Sequence, residues 1–271
     1  MNAMSATLTL KLIQKFGLTS HAKRLKKLLV KGKLWPSGGF GYAHRKQAYK
    51  LLSGRGLEVG ALHCPANVSG RCKVEYCDAH SKEAAAELFP EIERDLLVDV
   101  DYIVNLDEDR LSDKVKPPYD FVIMNHVIEH VANPMSVLEQ LFSVTKAGGY
   151  VVISAPDKEY TFDKPRQLTP FEHLLSEYEQ KTRFVDDSHY LDFIQHTAPD
   201  IFNSGDSALL GTTLASVRER REHAHVWDSE SFLDFLSRSM DHLKINAKME
   251  FVSKAALNNI ECFVLLKKAE I

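Results

Sequence analysis

Acidic residues are missing from the first part of this chain: nothing before Glu58 is an aspartate or glutamate. Met1–Lys50 carries nine lysines and two arginines, leaving −14 on the remainder of a chain whose formal charge is −3. A basic arm therefore precedes an acidic body, and such an arm suits a membrane surface, an anionic substrate, nucleic acid or the body itself. Aromatics are few in the arm, which argues against the base stacking of nucleic-acid binders. Cysteine is also sparse. Cys64, Cys72, Cys77 and Cys262 show no C-x-x-C spacing and are too few for a disulfide framework, so reduced thiols in a cytoplasm are expected. No apolar run approaches the roughly 18 residues of a membrane-spanning helix, and no secretory h-region opens the chain. An apolar content of 44% nevertheless supports a substantial core, which excludes general disorder.

Glycine is thin where a nucleotide-binding turn would use it. Leu57-Glu58-Val59-Gly60-Ala61-Leu62-His63 ends an apolar run in an acid and one glycine, with Leu62 and Cys64 or Pro65 where further glycines are usual. A second apolar run then delivers Asp78, about 20 residues on, the spacing by which a Rossmann-like unit holds a ribose. Strands are expected at Gly56–Val59, Lys73–Cys77, Val98–Val100, Phe121–Met124 and Tyr150–Ser154, with helices around Ser81–Leu88 and Pro134–Thr145. Ser229 is expected to cap a helix reaching Met240, followed by strands near Leu243–Val252 and Ile260–Lys267. Alternation of this kind predicts an α/β, doubly wound, mostly parallel sheet. The organisation expected is a basic helical arm over 1–50, a core over 51–157 and 226–271, and an inserted cap over 158–225. Within the arm, Leu8–Val30 reads as two short amphipathic helices and Pro36–Gly41 as a loop.

These elements, in this order, resemble the class I S-adenosylmethionine-dependent methyltransferases. The resemblance rests on Glu58-Val59-Gly60, Asp78, Asp107-Glu108-Asp109, the stretch Tyr119–Val131, and Lys146-Ala147-Gly148-Gly149-Tyr150. It implies a seven-stranded Rossmann-like sheet and S-adenosylmethionine as cofactor. Glu58, Gly60 and Ala61 would then meet its amino-acid part and Asp78 the ribose hydroxyls. Asp107 and Glu108 would meet the adenine, and Asn125 and His126 the methionine end. Candidate bases for a hydroxyl acceptor are His126, His130 and Asp157, the last equally well read as a turn residue capping the next segment.

His126-Val127-Ile128-Glu129-His130 also matches H-x-x-E-H, a zinc-protease helix signature, although Asn133-Pro134 leaves little helix to carry it. Glu129-His130 is similar to a metal-associated segment of ubiquinone-pathway O-methyltransferases. The preferred reading is without metal: Glu129 and His130 make buried hydrogen bonds tying the helix to the sheet. His223-x-His225 is likewise read as structural. Residues 157–173 and His223–Trp227 resemble methyltransferases associated with glycosyltransferase and surface-polysaccharide genes. That resemblance implies transfer to a hydroxyl of a saccharide or glycoconjugate. The alternatives are a nucleic-acid methyltransferase that uses the basic arm and a non-catalytic cofactor-binding scaffold.

Overall fold

Near-continuous burial along the central strands, covered on both faces, sets the layers of the computed structural model, which describes residues 42–270. Helix α1 (Arg45–Tyr49) leads into β1 (Gly54–Val59) and β2 (Cys72–Asp78). Next come α2 (Lys82–Leu88), β3 (Tyr102–Ile103), α3 (Leu111–Lys114), β4 (Tyr119–Asn125), α4 (Pro134–Val144) and β5 (Thr145–Pro156). Residues 158–225 hold α5 (Phe171–Glu179), α6 (Asp187–Thr197), α7 (Pro199–Phe202) and α8 (Ser207–Glu219). The chain closes with α9 (Ser229–His242), β6 (Ala247–Ser253), α10 (Ala255–Asn258) and β7 (Glu261–Lys268).

The seven strands form one sheet in the order β3-β2-β1-β4-β5-β7-β6, parallel except for β7, which runs against both β5 and β6. On one face Val122 and Met124 of β4 pack with Val151 and Ile153 of β5, Leu138 and Leu141 of α4, and Phe232 and Phe235 of α9. On the other, Phe121 and Ile123 pack with Val152, Phe263, Leu265 and the α1 side chains Ala48 and Tyr49. Each such aliphatic or aromatic side chain contributes about 1.5–3 kcal/mol by leaving water. Gly56 serves this layer, because a Cβ there would lie 2.0 Å from the Phe121 ring. Helix starts follow local chemistry: Ser81 accepts from Ala84 N–H, and Asn133 accepts from Ser136 N–H ahead of Pro134.

The doubly wound sheet matches the expected fold, with three local corrections. The third strand is not Val98–Val100 but Tyr102–Ile103. Val98 N–H is drawn to the Leu62 carbonyl, and Asp101 bonds Tyr76 through backbone and side chain, so pairing with β2 starts later. Helix α9 is capped by Asp228, in a reciprocal capping box with Ser231, rather than by Ser229. The β6 strand starts at Ala247, since the turn after α9 occupies Leu243–Ile245. Finally, at the end of the expected arm, Ala48 and Tyr49 pack into the sheet layer. The expected arm helices over Leu8–Val30 and the loop at Pro36–Gly41 lie outside the described residues. Among the described residues no helix is long and apolar enough to cross a membrane.

Candidate functional site

The strand order reverses between β1 and β4, and open α/β sheets bind ligands at such a switch point, beyond the carboxyl ends of the strands. A cleft of about 120 Å³ lies there. Its wall takes Gly60 from the end of β1, Asp78 from β2, Val104 and Leu106 from the segment after β3, and His126 from the end of β4. His130 and Arg221 complete it. Gly60 has φ +70°, and an added Cβ would meet Val127 Cγ2 at 2.4 Å, so only glycine suits this turn. Leu62, standing where a second glycine is usual, still adopts φ +50°. The turn therefore keeps its left-handed shape with fewer glycines. Asp78 accepts from His80 N–H at 3.2 Å, and burial pushes its carboxyl up.

His126 adopts φ +55°, a costly conformation for a residue with a Cβ, and this swings its ring off the end of β4. Its Nε2 donates to Glu261 Oε2 at 2.7 Å. Glu261 is fully buried and also receives His44 Nε2 at 2.6 Å and Arg45 Nε at 2.7 Å. Burial alone would raise the Glu261 carboxyl. The Arg45 guanidinium, with His126 and His44, overrides this and holds it well below the usual carboxylate range. A permanent anion thus fixes one nitrogen of a cleft histidine. Sequence reasoning did not single out Glu261, Arg45, His44 or Arg221. The one local signal was a lone acid heading the apolar run Cys262–Leu266.

Of the expected cofactor residues, Gly60, Asp78 and His126 line the cleft together, while Glu58, Ala61, Asp107, Glu108 and Asn125 do not. Glu58 turns beneath the β1 turn, where both carboxylate oxygens accept from Ala66 N–H, and burial pushes its pKa up to about 7. Asp107 is committed to Ala132 N–H at 2.8 Å and Arg221 at 3.2 Å. Asn125 bridges Tyr49 and Ser154. Asp157 takes the second of its two expected roles, as a buried capping acid. Its two oxygens accept from Glu159 N–H and from the Ser229 N–H and hydroxyl, so turn capping outcompetes exposure.

Glu129 and His130 also depart from expectation. The Glu129 backbone carbonyl, not its side chain, makes the tie, accepting from Ala224 and His225 N–H. Its carboxylate is fully buried with no hydrogen-bond partner on either oxygen. His130 Nδ1 donates to the Arg221 carbonyl at 2.6 Å, and burial, reinforced by His223, pushes the His130 pKa down to about 3.

A family model described as a methyltransferase domain matches residues 53–239, more than half of the chain. No curated protein matches it in sequence. Among solved structures it is similar to a SAM-dependent methyltransferase from Aquifex aeolicus (13% identity, 83% of this chain and 88% of that one, TM-score 0.43). It is also similar to the N-methyltransferase NodS from Bradyrhizobium japonicum in complex with S-adenosyl-L-homocysteine (9% identity, 97% and 99%, TM-score 0.43). The CurJ carbon methyltransferase matches at 12% identity and TM-score 0.42 over 83% of this chain, which spans 52% of that structure's length. These likenesses say nothing about the acceptor.

Proposed function

Because the chain belongs to the methyltransferase-domain family, we propose that it transfers the methyl group of S-adenosylmethionine to a hydroxyl, most specifically one on a saccharide or glycoconjugate. The cleft fits the nucleoside part of that cofactor. It combines the Asp78 carboxylate at a strand end, apolar walls at Leu62, Val104 and Leu106, and a Gly60 backbone that a ligand can approach closely. The cofactor, when bound, supplies an electrophilic methyl group on a sulfonium. The protein's share is to hold the acceptor in line and to receive its proton.

The observation that carries the hydroxyl reading is the His126–Glu261 pair. An alcohol must lose a proton as it is methylated, and a histidine held by a carboxylate through one nitrogen is suited to take that proton at the other. Here Glu261 receives Nε2–H at 2.7 Å and so fixes the ring at the cleft, with Nδ1 3.9 Å from Glu129 Oε1. The saccharide assignment draws on the resemblance of the segment 157–173 and of His223–Trp227. Of the rings there, Tyr160 is exposed beside Lys158 and Glu159, a mixture suited to sugar CH faces and hydroxyls, whereas Trp227 is buried in the apolar layer.

The test begins with calorimetry of S-adenosylmethionine binding to the wild type and to Asp78→Ala, which should weaken it at least tenfold. Radiolabelled methyl transfer is then measured against glycans, nucleotide sugars and amines. His126→Gln should lower kcat for hydroxyl acceptors on the order of 10²- to 10⁴-fold. Turnover of amines with none of any saccharide would sink the acceptor assignment.

A further inference from the structure

We propose that Glu129, His130 and His223 are the protein ligands of a divalent transition-metal ion that joins the inserted segment to the sheet. Their ligand atoms converge within 4.8 Å of one another. Glu129 Oε1 is 3.6 Å from His130 Nε2 and 3.9 Å from His223 Nε2. Around an ion with bonds of about 2.0–2.1 Å, neighbouring ligand atoms sit roughly 3.3–3.4 Å apart, so the two glutamate–histidine distances need to contract by only a few tenths of an ångström.

Two further features separate this cluster from a chance meeting of polar side chains. The first is cost. Both Glu129 oxygens and His130 Nε2 are buried without a hydrogen-bond partner, an arrangement native proteins avoid unless something else satisfies the atoms. The second is orientation. His130 donates Nδ1–H to the Arg221 carbonyl at 2.6 Å, and His223 donates Nδ1–H to Asp163 Oδ2 at 2.6 Å. Each imidazole is therefore locked in the tautomer that presents Nε2 to Glu129, the outer-shell pattern of metal-ligating histidines. Asp163 is itself held by Arg166 at 2.8 Å.

Two imidazoles and one carboxylate suit Zn²⁺, Co²⁺, Fe²⁺ or Mn²⁺ better than Ca²⁺, which takes oxygen alone. Three protein ligands also leave a coordination position open. His130 belongs to both the ligand set and the wall of the cleft, so the ion borders the space where substrates meet. A second group, His173, Glu177 and His189, also converges, but its facing atoms already pair with one another: His173 Nε2 lies 3.0 Å from Glu177 Oε1 and 3.2 Å from His189 Nε2.

The test uses the untagged full-length protein, stripped with a chelator and titrated with Co²⁺. Ligand-field absorption in the visible should saturate at one equivalent and be displaced by Zn²⁺, and X-ray absorption should find two imidazoles in the first shell. Glu129→Gln and His223→Gln should weaken binding at least 100-fold. Asp163→Asn should weaken it 10- to 100-fold while leaving the ligands in place, and His189→Gln should not change it. Neither readout involves methyl transfer. Absence of saturable binding, an imidazole-free first shell, or loss of the band only in His189→Gln would each overturn the site.

Discussion

Glu261 is the residue whose replacement should be most costly among the described residues. Its carboxylate is wholly buried and neutralises Arg45, whose side chain is itself only 7% exposed. Replacing Glu261 by leucine leaves that guanidinium buried without its counter-ion and unties His44 and His126. Breaking a buried pair from one side costs about 3–5 kcal/mol, whereas replacing both partners by apolar groups of similar volume is often neutral. The single variant should therefore lower the thermal midpoint on the order of 10 °C. Arg45→Met combined with Glu261→Leu should recover most of that loss. Urea denaturation at pH 7 measures both, and a pH series adds a second constraint. The folded-state pKa of Glu261 is depressed, so its stabilisation is complete above its unfolded value of about 4.3 and is lost as pH falls toward the folded value. The wild type should weaken below roughly pH 4.3 more steeply than the double variant. A single variant as stable as wild type, or a double variant no better than the single, would refute this account.

Glu58 should show the opposite pH dependence. Burial raises its folded pKa to about 7, so the folded state holds a proton that the unfolded chain releases. Its contribution is fully present below about pH 4.3 and is lost as pH rises through 7, a change on the order of 3 kcal/mol. Glu58→Gln should flatten that slope and be the more stable protein at pH 8, as read by chemical denaturation. Gly60→Ala places a methyl group 2.4 Å from Val127 Cγ2 in a left-handed turn, and should cost about 1–3 kcal/mol and abolish calorimetric binding of S-adenosylmethionine. Gly211→Ala, at a helical position with open space around it, should do neither.

The sheet could be read from the chain wherever local signals agree. Phe121–Met124 and Tyr150–Ser154 are apolar on both faces because both faces are covered, and Ser81 and Asn133-Pro134 mark helix starts by chemistry that needs no distant partner. The β3 strand was misplaced because only two residues pair, and what selects them is Asp101 bonding to Tyr76. Gly60, Asp78 and His126 reach the cleft because backbone topology alone delivers strand ends there. Asp157 stays open between two roles in the sequence for a related reason: the same position beyond β5 serves a mouth or a cap, and its bond to Ser229, 72 residues away, is invisible locally. Glu261 stayed invisible as an orienting group because its partner Arg45 lies 216 residues away. No local pattern encodes that distance.

The return of the inserted segment to the sheet has a consequence for anyone hoping to replace that segment by grafting. Residues 220–227 do not skirt the sheet. Ala224 and His225 hydrogen-bond the Glu129 carbonyl, Arg221 reaches Asp107 and Asn105, and Lys158 N–H donates to the Trp227 carbonyl while Trp227 fills the apolar layer. The suture runs from the cleft wall at Arg220 and Arg221 into the apolar layer at Trp227. Transplanting 158–219 alone would leave that suture intact, whereas a swap ending at 225 would remove part of it.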